Sequence, residues 1–213
     1  AYCQDNEISW INWEQARSPE GAALTAFVGR VTAIRRDFDV LRASYFLHGN
    51  QMVADGLPDV AWFDESAQPV TSEDWNNPVA RAITLQLAGK RLEPHKQLSS
   101  RLHDAAGTGA DGPGEAQEVP PDVLMIFVNA GHEPIEFSFP RTEGEYFLLL
   151  DCAQPTGMPE GEGGQVTVDG SASVQVQAHT LQVFANRPLH LSSAIYPLAA
   201  NEWIKRNEWG ERA

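Results

Sequence analysis

About seven or eight short apolar runs, separated by Gly, Pro, Asn and Asp, constrain this chain more than any other feature. Residues 59–63 form the first run. Residues 82–87 alternate apolar and polar positions, as a half-buried strand does. Residues 123–128 are continuously apolar, and 146–150 nearly so. Ile135, Phe137 and Phe139 alternate with polar residues; so do Val166 and Val168, Val174 and Val176, and Leu181, Val183 and Ala185. Strands this short, at this spacing, predict a mainly β protein built as an antiparallel β-sandwich or barrel. Nothing repeats at a fixed period, which argues against a solenoid or propeller.

One helix precedes the strands. Ser18 is an N-cap candidate, Pro19 suits the first helical position, and Glu20 places an acid in the first turn. Leu24, Phe27, Val28, Val31 and Ile34 recur at helical spacing and predict one apolar face. Arg35 and Arg36 fall in the last turn, where positive charge suits the helix dipole. Ahead of the helix lies a polar, loop-like segment carrying Trp10 and Trp13. A lone amphipathic helix before an all-β unit must pack on that unit or on something outside the sequence. Three other segments read as irregular: a mobile insertion at 104–121 rich in Gly, Pro and acids, a smaller loop at 154–165, and a tail at 201–213. Residues 73–78, from Glu73 to Pro78, have turn chemistry.

Charge removes several function classes. Acidic residues number 29 and basic ones 15, for a net charge of −14. Nucleic acid and anionic membrane surfaces are disfavoured partners. No apolar run approaches the roughly 20 residues that span a bilayer. The first residues carry neither an initiator Met nor the pattern of a signal peptide, so the chain is expected to begin inside a longer protein. Its two cysteines, Cys3 and Cys152, read as reduced thiols of a cytoplasmic protein; a disulfide between them is the alternative.

The opening residues 1–13 (AYCQDNEISWINW) resemble a stretch of bacterial glycogen debranching enzymes and isoamylase-type glycoside hydrolases, of the alpha-amylase superfamily. There the stretch follows the eighth strand of a (β/α)8 barrel. The helix ending in Arg35-Arg36, with Asp39-Val40-Leu41-Arg42 after it, is similar to that family's eighth barrel helix. Asp59-Val60-Ala61-Trp62 and the Ser72–Pro78 stretch resemble its lead into a C-terminal β-domain. Residues 124–129, His132-Glu133-Pro134 and Glu136-Phe137 resemble a strand, turn and strand of that domain. The insertion at 104–121 departs from the family pattern. So does His179-Thr180, where the family tends to carry an Arg.

The resemblance implies an order of parts. Residues 1–45 would be the last loop and helix of a truncated barrel, 46–200 a C-terminal β-sandwich, and 201–213 a tail. It implies a parent that hydrolyses α-1,6-glucosidic branch points of glycogen or limit dextrin, with retention and without a cofactor. Retaining chemistry needs two carboxylates about 5 Å apart. In the family these sit, with a third, on barrel strands earlier than Ala1. No catalytic residue carries over, and the 213-residue chain alone is expected to be inactive. The loop after a barrel strand is where substrate is met. Tyr2, Asp5, Asn6 and Trp10 are therefore the candidate substrate-binding residues, the aromatics stacking on sugars and the others bonding hydroxyls. Local packing of the same loop is the competing role.

Other motifs lead nowhere as chemistry. Asp5 and Glu7, close in sequence, read as part of a polar loop rather than as a catalytic pair. His103-Asp104 opens an acidic loop rather than ending a strand. His132-Glu133-Pro134 lacks the second His of a zinc-protease helix, and the six histidines show no metal-ligand spacing with Cys or carboxylates. Trp62 and Trp75 are read as turn and core packing, or as a glucan platform. The rival to a hydrolase fragment is a stand-alone carbohydrate-binding or assembly β-domain. An exposed helix face would further lead the isolated chain to self-associate.

Overall fold

A computed structural model describes residues 5–91, 119–161 and 165–190. The order is a single turn α1 (Trp13–Ala16), the helix α2 (Pro19–Asp37), a 3-10 turn (Asp39–Arg42), and strands β1 (Met52–Ala54), β2 (Leu57–Pro58) and β3 (Val60–Phe63). A one-turn helix α3 (Ser72–Trp75) leads to β4 (Ala82–Gly89) and β5 (Asp122–Asn129). Then come β6 (Ile135–Ser138), β7 (Glu145–Asp151), β8 (Val166–Asp169), β9 (Ser173–Val176) and β10 (Thr180–Ala185).

Six strands form one antiparallel sheet in the order β3-β4-β5-β10-β7-β8, and β6-β9 and β1-β2 form two-stranded ribbons. The mainly β, antiparallel expectation is met. Alternation explains the layers. On β5, Val123, Met125 and Phe127 point to one side, where they meet Phe137, Phe139, Tyr146, Val176 and Phe184. The ribbons cover that side. Leu124 and Ile126 point to the other, toward Ile34, Phe38, Leu87, Leu150 and Val183. Both faces of β5 are occupied, which is why its sequence reads as a continuous apolar run. The register of β10 on β7 shifts between Val183 and Phe184. The bulge turns both Leu149 and Leu150 toward the helix side.

The helix starts as its sequence predicts: the Ser18 hydroxyl accepts from the Gly21 N–H at 3.2 Å, with Pro19 following. Its packing face differs from the expected stripe. Ala22, Ala33 and Ile34 are buried and Phe27 packs on the sheet, whereas Leu24 (63%), Val28 (54%) and Val31 (40%) are exposed. At 3.6 residues per turn the docking face is rotated by roughly a quarter of a turn from the centre of the stripe. Two arginines set that rotation. Arg30 Nε donates to the Leu149 carbonyl at 2.7 Å. Arg187, just past β10, grips the other end: its guanidinium donates twice to Asp122, at 2.6 and 2.9 Å, and to the Asp37 carboxylate at 2.7 Å. It also lies 4.0 Å from the centre of the Phe38 ring, a cation–π contact. Gly157 permits close approach of the β7–β8 loop. Its φ is +68°, and a Cβ there would lie 2.6 Å from Leu150 and 2.8 Å from Phe27.

Residues 73–75 belong to a capped helical turn rather than a bare turn. Thr71 and Asp74 form a reciprocal capping box, which also draws the Asp74 carboxyl below its ordinary pKa. Residues 104–118 of the expected insertion, the tail at 201–213, Tyr2 and Cys3 lie outside the described residues. Cys152 is a free, half-buried thiol, and burial raises its pKa. No helix among the described residues is long and apolar enough to cross a membrane.

Candidate functional site

The opening turn gathers three of the four candidate residues. The Asn6 side-chain oxygen accepts from the Ile8 N–H at 3.1 Å, and the Asn6 carbonyl accepts from the N–H groups of Ser9 and Trp10 at 3.0 and 3.1 Å. This Asx-type turn is what a short polar side chain ahead of a helix favours. It folds Trp10 back so that its indole N–H donates to Asp5 Oδ1 at 2.7 Å. Asn12 then caps α1 by accepting from the Glu14 and Gln15 N–H groups. Trp10 is thus tethered by its polar edge while its ring stays 63% exposed. Asp5 and Asn6 each give an oxygen to the turn itself. The arrangement can offer a fixed aromatic face to a ligand, beside an Asp that orients it.

Buried carboxylates are the natural candidates for acid–base work, and the described residues contain two, Asp59 and Asp122. Both are engaged. Asp59 accepts from the backbone N–H groups of His48, Gly49 and Val60 at 3.2, 2.8 and 3.0 Å. It ties the 48–50 turn to the start of β3. Asp122 is the bidentate partner of Arg187. Their chemistry is architectural. No group of three or more His, Cys, Asp or Glu suited to a metal ion occurs among the described residues.

A cleft of about 290 Å³ opens between α2 and the large sheet, lined by Val31, Ile34, Leu124, Ile126, Leu150 and Val183, among others. With Arg35 as its charged member, it lacks the converging polar groups that would orient a sugar. It continues the exposed flank of α2 and leaves the helix side of the sheet partly uncovered. Trp62 and Trp75 meet edge to face, with ring centroids 5.4 Å apart at 76°, and both remain partly exposed.

Sequence reasoning missed one arrangement. His179 Nε2 lies 3.0 Å from His132 Nδ1, across two loops 47 residues apart in the chain. The departure at His179-Thr180 was its only sequence signal.

No protein-family model matches the chain. A glycogen operon protein GlgX homolog of Mycobacterium bovis is 29% identical over 185 residues, covering 85% of this chain and 22% of the relative. The homolog of Mycobacterium tuberculosis matches to the same extent. A glycogen debranching enzyme of Salmonella typhi is 32% identical over 77 residues, 36% of this chain and 10% of that protein. The chain spans about a fifth of the length of the curated relatives that it matches over most of its length. By sequence, the chain is similar to glycogen operon protein GlgX homologs over most of its own length and to a glycogen debranching enzyme over about a third of it.

Proposed function

We propose that this chain is the barrel-closing and C-terminal β part of a cytoplasmic glycogen debranching enzyme, a glycoside hydrolase of α-1,6 branch points in glycogen or limit dextrin. Residues 1–45 complete the barrel and residues 46–200 form the β-domain that braces it. The three carboxylates of the reaction belong to barrel strands outside the chain. This piece supplies structure, and Trp10, Asp5, Asn6 and Tyr2 supply contacts to the glucan.

The observation that carries the reading is the uncovered helix side. Leu24, Val28 and Val31 leave an apolar flank on α2, and the cleft beside it is apolar too. A contiguous bare apolar face marks a surface that is normally covered. The similarity to relatives about four times as long supplies the material to cover it. Burial of a large aliphatic side chain contributes about 1.5–3 kcal/mol. In isolation the same face should drive association. Sedimentation equilibrium over a concentration series should show self-association, and the triple variant Leu24→Ser, Val28→Ser, Val31→Ser should be monomeric with an unchanged denaturation midpoint. A wild-type chain that stays monomeric throughout, or a variant that unfolds, would count against the reading.

The Trp62–Trp75 pair favours a second reading, a glucan-binding β-domain with no part in catalysis. Maltooligosaccharide titration monitored by tryptophan fluorescence separates the readings: a response lost in Trp62→Ala points to the platform, and one lost in Trp10→Ala to the opening turn.

A further inference from the structure

We propose that His132 and His179 form a surface site for a divalent transition metal of the imidazole-binding class, nickel or copper, independent of any glucan chemistry.

His132 lies in the β5–β6 loop and His179 in the β9–β10 loop, both exposed. Their rings meet nearly at right angles, 82°, with centroids 4.7 Å apart, and the two nitrogens face each other at 3.0 Å. Metal–imidazole bonds are about 2.0–2.1 Å long. Two such bonds at a right angle hold their nitrogens about 2.9 Å apart, so the pair already has the spacing of adjacent ligands in tetragonal or octahedral geometry. A tetrahedral ion such as zinc would need roughly 3.3–3.4 Å and a small opening of the pair.

The loops carrying the rings are fixed from below. The Asn129 side chain, itself buried, donates to the carbonyls of Glu133, Val176 and Gln177 at 2.8, 3.0 and 3.1 Å, and accepts from the Gly131 N–H at 2.8 Å. The His179 N–H donates to the Gly131 carbonyl at 3.2 Å. His179 takes a left-handed backbone, φ 55°, which few side chains other than Asn, Asp and His adopt readily. One Asn thus clamps the backbone of both loops and keeps the two histidines adjacent, and a rotation of each ring would turn its facing lone pair toward a shared ion.

Without metal, one ring donates a hydrogen bond and the other accepts. Ligation needs a lone pair on both facing nitrogens. The donor ring therefore changes tautomer, moving its proton to the far nitrogen, and a neutral pair loses no net proton. No third protein ligand joins the pair among the described residues, so water completes the coordination. Affinity should fall well short of a structural four-ligand site.

The test uses the 213-residue chain and Ni2+ alone, read by imidazole and thiol-adjacent resonances in NMR. Substoichiometric Ni2+ should broaden His132 and His179 before the other four histidines and before Cys3 or Cys152. In His132→Ala the early broadening at His179 should vanish. In His179→Asn, which keeps a residue tolerant of the left-handed backbone, it should vanish at His132. Unchanged dispersion of the strand amides verifies folding in each variant. Broadening that starts elsewhere, or that persists at the remaining histidine of either variant, would overturn the proposal.

Discussion

Arg187→Ala is expected to destabilise the chain by about 3–5 kcal/mol, the range for removing one partner of a buried ion pair. Arg187 is only 12% exposed in its side chain, and Asp122 only 3%. Truncation leaves the Asp122 carboxylate buried without its counter-charge, releases Asp37, and uncovers Phe38. Arg187→Lys should recover a minor part, because an ammonium cannot span both oxygens of Asp122 while reaching Asp37. Urea denaturation measures the loss, and hydrogen exchange locates it: α2 amides should lose more protection than β5 amides. A loss below about 1 kcal/mol would show the network to be peripheral.

The second large effect should come from Asn129→Ala. The variant leaves the Gly131 N–H and the three carbonyls without the amide that satisfies them, and buried polar groups stranded in this way cost about 1–3 kcal/mol each. Loop carbonyls can turn toward solvent, so the expected total is about 2–4 kcal/mol rather than the full sum. Asn129→Asp should do no better. It keeps the acceptor for Gly131 but points a second oxygen at three carbonyls. The denaturation midpoint reports the stability loss, and the His132 and His179 resonances should shift together as their clamp opens. A variant as stable as the parent would contradict the role given to Asn129.

The physics of each element decides how much of it sequence reasoning could read. β4, β5 and β10 are legible because they are central in the sheet and apolar on one or both faces. β1 and β2, of three and two residues, offer too little periodicity to detect. The ends of α2 are written in its caps. Its rotation is not: Leu24, Val28 and Val31 match the apolar template as well as Phe27 and Ile34 do, and the choice between flanks is made by Arg30 and Arg187. Arg187 reaches carboxylates 65 and 150 residues away. His132 and His179 are likewise joined only by the fold. At the opening turn, Asp5, Asn6 and Trp10 could be singled out by family resemblance, but the Trp10–Asp5 hydrogen bond is a product of the local turn. That bond gives the loop a packing role alongside any contact with sugar.

If, as we propose, this chain braces a debranching enzyme, the catalytic carboxylates lie outside it. The buried acids that could have served, Asp59 and Asp122, are bound up in the fold. The most direct measurement is a reducing-end assay of the purified 213-residue chain, at high concentration, on glycogen and limit dextrin. No reducing ends above a heat-inactivated control are expected. Turnover that follows the chain through successive purification steps, and disappears on heating, would contradict it.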